Sequence, residues 1–114
     1  MSRLVSSAAA RLFASVLRPD DRVLVLGAAG WFGRTALDLL DDTGTAVLAL
    51  ASRPRTIVVA NTRWDIDTWS PQLVAEFDPT IIIDCAFLTR EKTALMPLTD
   101  YVRINRMLTE QLLV

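Results

Sequence analysis

The sequence predicts an α/β protein in three layers, a mostly parallel sheet held between helices, and three observations carry that expectation. Apolar runs recur at Val23–Leu26, Ala46–Ala51 and Ile81–Ile83, and runs without polar alternation mark strands buried on both faces. The first run is followed by Gly27, Gly30 and Gly33, so three of the chain's four glycines fall within seven residues. Helical spacing follows at once, with Ala36, Leu37, Leu39 and Leu40 on one stripe. A strand, a glycine-rich turn and a helix start make an anion site, because free N–H groups and the helix dipole point to one place. There Gly27 permits a sharp exit from the strand, Gly30 lets a pyrophosphate approach the backbone, and Gly33 lets the helix pack close to the sheet. The plainer alternative is a tight strand-to-helix turn with no ligand.

Taken in order, residues 2–17 carry Leu4, Val5, Ala8, Leu12, Val16 and Leu17 at helical spacing, beside Arg3, Arg11 and Arg18. This predicts an amphipathic helix within residues 1–20, ending at Pro19. The same stretch has serines and no acid before Asp20, the composition of a mitochondrial transit peptide, but no clear cleavage site separates it from the first strand. Residues 21–114 then read as one domain. Its first helix ends at Asp41-Asp42-Thr43-Gly44, with glycine in the usual place after a helix. The second strand is Ala46–Ala51, and only Ser52-Arg53-Pro54-Arg55 separates it from the apolar stretch Thr56–Ala60. So short a link cannot make a parallel crossover, which takes a dozen or more residues. Residues 56–60 therefore turn back as an antiparallel hairpin or form an irregular extension. Ser70-Pro71 opens a short helix through Phe77, serine as cap and proline in the first turn. Ile81–Asp84 is the fourth strand, and a last helix over 98–114 places Tyr101, Ile104, Asn105, Leu108 and Leu112 on one face.

Composition narrows the function. Hydrophobic residues make up 52% of the 114, and the mean hydropathy is +0.34, which suits a buried sheet. A net charge of −1 gives no electrostatic case for nucleic acid or an acidic membrane surface. One cysteine and no histidine exclude a disulfide framework, make a zinc site improbable and remove histidine-based triads. No apolar run approaches the roughly 20 residues that span a bilayer. A cytoplasmic protein with no membrane or nucleic-acid partner and no metal is the expectation.

The glycine spacing is G-x-x-G-x-x-G, where the commoner dinucleotide fingerprint is G-x-G-x-x-G. Following Val23–Leu26 and carrying the aromatic pair Trp31-Phe32 before its last glycine, it resembles the short-chain dehydrogenase/reductase superfamily. It is most similar to the extended branch, the NAD-dependent epimerase/dehydratase family that acts on nucleotide sugars. The resemblance covers roughly residues 22–114. It implies a Rossmann-type sheet, half of a doubly wound fold, with right-handed crossovers and strand order 3-2-1-4.

The resemblance also assigns residues. Cofactor contacts are implied at Gly27, Gly30, Trp31, Phe32 and Gly33. Asp65-Ile66 resembles the family's Asp-hydrophobic pair after the third strand, where the carboxylate reads the adenine amino group; solvated loop or capping carboxylates are the alternative. Cys85-Ala86-Phe87 stands where the family's chain passes over the nicotinamide ribose, with Ala86 the cofactor contact and Cys85 a small buried residue. Asn105, followed by Thr109 and Leu112-Leu113, resembles a helix whose asparagine sits behind the catalytic site and holds a structural water. A partly exposed amide is the alternative there.

The family's proton-transfer pair, Tyr-x-x-x-Lys, is not present in these residues. The one lysine, Lys92, has Leu88 four residues before it, and the one tyrosine, Tyr101, has Asn105 four after it. In full-length relatives the pair would come after residue 114, so no catalytic residue is assigned and the chain is expected to be catalytically incomplete. The leading expectation is the cofactor-binding part of a nucleotide-sugar epimerase, dehydratase or reductase. A stand-alone, non-catalytic nucleotide-binding or interaction module is the alternative. An S-adenosylmethionine methyltransferase is a weaker third, since it calls for a tighter glycine cluster and an acid ending the second strand.

That last position also predicts the cofactor. NAD-specific proteins place a carboxylate about 20 residues past the glycines, where it binds the ribose 2′-OH. Here the count from Gly33 lands on Arg53, with Ser52 before it and Arg55 just after, and no acid lies between Asp42 and Asp65. A serine hydroxyl with a guanidinium suits a 2′-phosphate, which predicts NADP with NAD as runner-up. Ordinary solvated turn residues are the alternative. An uncovered sheet edge beside the fourth strand predicts self-association.

Overall fold

The structure is a computed structural model that describes residues 5–86 together with Arg103 and Arg106. Its elements are α1 (Ser7–Val16), β1 (Arg22–Leu26), α2 (Trp31–Leu40), β2 (Ala46–Ala51), β3 (Arg55–Val59), β4 (Thr62–Thr68), α3 (Pro71–Phe77) and β5 (Ile81–Asp84). They make a Rossmann-like α/β fold around a five-stranded sheet of order β3-β4-β2-β1-β5.

β1 is central because both of its faces are apolar. Val23 and Val25 turn to one side, with Ala36, Leu37 and Leu40 of α2, while Leu24 and Leu26 turn to the other. The second side is closed by Leu48 and Leu50 of β2 and by Trp69, Leu73 and Val74 around α3. β1 pairs in parallel with β2 (Val23 opposite Val47) and with β5 (Val23 opposite Ile81). Burying uninterrupted apolar strands between helical layers is the arrangement the sequence predicts.

The strand order differs from the expected 3-2-1-4 by one added strand. β4 takes the third parallel position, with Leu50 of β2 opposite Asp67 and Ala51 opposite Thr68. Residues 55–59 turn back as a hairpin strand, antiparallel to β4 from Arg55–Ile66 to Val59–Thr62. Two left-handed residues, Ala60 (φ 47°) and Asn61 (φ 76°), make the turn. Consecutive positive φ values match the twist of antiparallel strands, so a two-residue loop suffices. Asp65-Ile66, expected to follow the third strand, lies instead within β4.

Two further details refine the sequence reading. The first left-handed residue after α2 is Asp42 (φ 61°), ahead of Gly44 (φ 71°). α1 begins at Ser7, with the Ser6 hydroxyl accepting from the Ala9 N–H at 3.1 Å. Phe13 and Leu17 pack against the core beside α2, and the Val5 N–H donates to Asp38 Oδ2 at 3.0 Å. Asp38, only 1% exposed, is a buried carboxylate in the core face of α2, and such a group needs hydrogen bonds to be tolerated. α3 has the Ser70 cap and Pro71 start that the sequence predicts. The expected final helix, with Asn105 on it, lies outside the described residues apart from Arg103 and Arg106, which are helical and exposed.

Candidate functional site

The carboxyl ends of β1 and β2 and the start of α2 meet at residues 27–33. Gly27 leaves β1 at φ 68°, and the Ala28 N–H donates to the Leu50 carbonyl at 3.1 Å, which ties the turn to β2. The Gly30 N–H returns to the Gly27 carbonyl at 3.1 Å. On the other side the Cys85 N–H donates to the Leu26 carbonyl at 2.9 Å, so the chain leaving β5 lies against the turn.

The three glycines are there for different reasons. A Cβ on Gly27 would lie 2.5 Å from the Cys85 carbonyl oxygen and 2.8 Å from the Ala86 nitrogen. A Cβ on Gly33 would lie 2.2 Å from the Gly27 carbonyl oxygen. Internal packing therefore forbids a side chain at both. Gly30 is different, since its Cβ would find only the Gly27 oxygen, at an ordinary 3.4 Å. Its φ of −77° suits any residue. Nothing within the described chain requires glycine at position 30; what a side chain there would fill is the space outside the turn.

Gly30 is also the N-cap of α2 and supplies no side-chain cap. The first residue to bond back is Arg34, whose N–H donates to the Gly30 carbonyl at 2.9 Å. The N–H groups of Trp31, Phe32 and Gly33 thus end the helix without intrahelical partners, at the positive end of its dipole. Trp31 and Phe32 stack edge to face at 5.0 Å and are 74% and 63% exposed, two aromatic rings standing in water at the mouth of the turn.

The other predicted residues divide into two groups. Ala86 lies against the turn, its nitrogen 2.8 Å from where a Gly27 Cβ would stand, and its N–H donates to Asp84 Oδ1 at 3.0 Å. Ser52 and Arg53 are exposed on the bend that follows β2, whose Leu50 carbonyl holds the turn. Asp65 and Ile66 do not follow a strand end as expected, although Ile66 shares its core cluster with Ala28 of the turn. Both lie within β4, Ile66 is buried against the α2 side, and Asp65 projects from the opposite face with Oδ1 accepting from the Thr56 hydroxyl at 3.0 Å. Level with the end of β2 stand Asp67 and Thr68 instead.

Two cations stand out that the motif did not assign. Arg34 is half-buried in the opening turn of α2, and its Nε donates to the Ala29 carbonyl at 3.0 Å. Arg55, at the start of β3, has its Nε buried without a partner, as has Trp64 Nε1 on the adjoining strand. Among the described residues no carboxylate pairs with Arg34, Arg53 or Arg55. The signal for Arg34 was present in the sequence, because a cation opening a helix opposes the dipole. Burial and then the neighbouring Asp84 push the Cys85 thiol above its usual range, which keeps it protonated and a poor nucleophile. Among the described residues no group of three His, Cys, Asp or Glu side chains could hold a metal ion, and no helix is long and apolar enough to cross a membrane.

The N–H groups that open α2, the bare Gly30, two exposed aromatic rings and the half-buried Arg34 thus lie together where β1 passes into α2. Residues 23–114 match the model of the family described as NAD dependent epimerase/dehydratase. No curated protein and no solved structure gives a match.

Proposed function

The chain belongs to the NAD dependent epimerase/dehydratase family, and from that premise we propose that it is the NAD(P)-binding part of a protein acting on nucleotide-activated sugars. The pyrophosphate is held by the backbone N–H groups around Gly30–Gly33, with Trp31 and Phe32 beside it and Ala86 on the nicotinamide side. When bound, the nicotinamide supplies hydride transfer. The chain's own residues bind and orient; no Tyr-x-x-x-Lys pair occurs among them to move a proton. The alternative reading, a non-catalytic nucleotide-binding or interaction module, would use the same turn. A cytoplasmic location and self-association through a bare sheet edge belong to the same proposal.

The observation that supports nucleotide binding is Gly30. Internal packing accounts for Gly27 and Gly33 and leaves Gly30 unexplained, whereas a pyrophosphate lying on the turn needs that position bare. Gly30→Val should therefore cost the fold little, on the order of 1 kcal/mol for a poorer helix cap. It should abolish the rise in melting temperature that NADPH or NADH produces in the parent. A Gly30→Val chain stabilised by dinucleotide as the parent is would sink the placement.

We further infer a preference for NADP, supported by the basic, acid-free end of β2 at Ser52 and Arg53. A charge-assisted contact from Arg53 to a 2′-phosphate contributes on the order of 1.5–3 kcal/mol, or roughly ten- to a hundredfold in affinity.

A further inference from the structure

Arg34 is a cation placed where a helix least favours one. It lies in the opening turn of α2, near the positive end of the dipole, and that turn contains no acidic residue to offset it. Its side chain is half-buried and engaged once, through Nε to the Ala29 carbonyl at 3.0 Å. Among the described residues no carboxylate meets it. Holding a guanidinium by Nε leaves its two terminal nitrogens as an oriented pair of donors. Ala29 precedes Gly30, so the charge is fixed beside the one stretch of the turn that a side chain could fill without clashing within the chain.

We propose that Arg34 binds a pyrophosphate oxygen of the dinucleotide through its terminal nitrogens while its Nε braces the Ala29–Gly30 backbone. This rests on the nucleotide reading of the turn and adds a side-chain cation to what the backbone N–H groups provide. A planar fork is needed, because one edge must serve the carbonyl and the other the phosphate. Lysine, a single point charge, serves only one of them. The bound anion offsets the dipole mismatch, so the arrangement is most favourable when occupied.

The test is calorimetric titration of the 114-residue chain with NADH and with NADPH, at two or more salt concentrations, for the parent, Arg34→Met and Arg34→Lys. Unfolding of each variant is followed by circular dichroism. Arg34→Met should weaken both dinucleotides alike, on the order of tenfold to a hundredfold, and flatten the salt dependence of binding. Arg34→Lys should recover the salt dependence and part of the affinity. Arg34→Met binding as the parent does would overturn the proposal. So would a loss with unchanged salt dependence, which marks a bracing role alone, or a loss confined to NADPH, which moves the contact to the 2′-phosphate. A parent that binds neither dinucleotide overturns the nucleotide reading itself.

Discussion

Two of the turns that run through left-handed backbone, after β1 and between β3 and β4, solve the problem differently. The turn after β1 uses glycine at φ 68°, with the Cys85 carbonyl pressed against the place where a side chain would stand. The turn between β3 and β4 uses Ala60 and Asn61, with no glycine in either position. The first is jammed from three sides by β1, α2 and the chain leaving β5. The second is a short surface reversal that tolerates side chains at the cost of some strain in Ala60. Crowding by distant backbone writes itself into a sequence as glycine; a surface hairpin need not.

The largest effect expected from this contrast is at Gly33. Gly33→Ala must displace backbone at Gly27 and Ala28, which should cost on the order of 3 kcal/mol or more and show as a large drop in melting temperature. A Gly33→Ala chain as stable as the parent would show that the turn is looser than drawn. Next comes the register of β4. Ile66→Ala should cost about 2–5 kcal/mol, as for a fully buried aliphatic side chain, while exposed Asp65→Ala stays within about 0.5 kcal/mol and leaves dinucleotide affinity unchanged. Equal costs at the two positions would mean that the strand is slipped by one residue.

A smaller change, in affinity alone, is expected where the hairpin leaves β2. The parent should bind NADPH more tightly than NADH, and Arg53→Asp should erase that advantage without altering stability. Equal affinities in the parent would remove the case for NADP. The smallest effect lies at the far end of the sheet, at the half-buried Asp21. The Arg18 N–H and the Thr80 hydroxyl donate to its carboxylate and hold its pKa below the usual range. A depressed pKa means stability that is present above the unfolded value and is lost as pH falls through the folded one. The gap in melting temperature between parent and Asp21→Asn should accordingly close as the solution is acidified. A gap independent of pH would contradict it.

The legible parts of the fold follow the same division. Val23–Leu26, the three glycines and the stripe of α2 could be read because the patterns that mark them are local: an unbroken apolar run, clustered glycines, a 3.6-residue period. The Ser70-Pro71 start of α3 was legible for the same kind of reason. β4 was not, because Thr62–Thr68 alternates polar and apolar residues around Asp65 and Asp67, a pattern that suits a loop as well as an outlying strand. Its identity as a strand comes from β3 and from the end of β2, partners that no local pattern names. The sequence expectation therefore put Asp65 past a strand end, and pairing with β3 carries it into mid-strand. Arg34 went unassigned because the glycine motif ends one residue before it.

The central claim, that the glycine turn receives the dinucleotide phosphates, is tested most directly by backbone amide resonances of the 114-residue chain titrated with NADPH. The largest shifts are expected at the N–H groups of Trp31, Phe32 and Gly33, with a smaller one at Ala86 and none in the middle of β4. Saturating NADPH that leaves Trp31–Gly33 unmoved, or that shifts β4 instead, would contradict it.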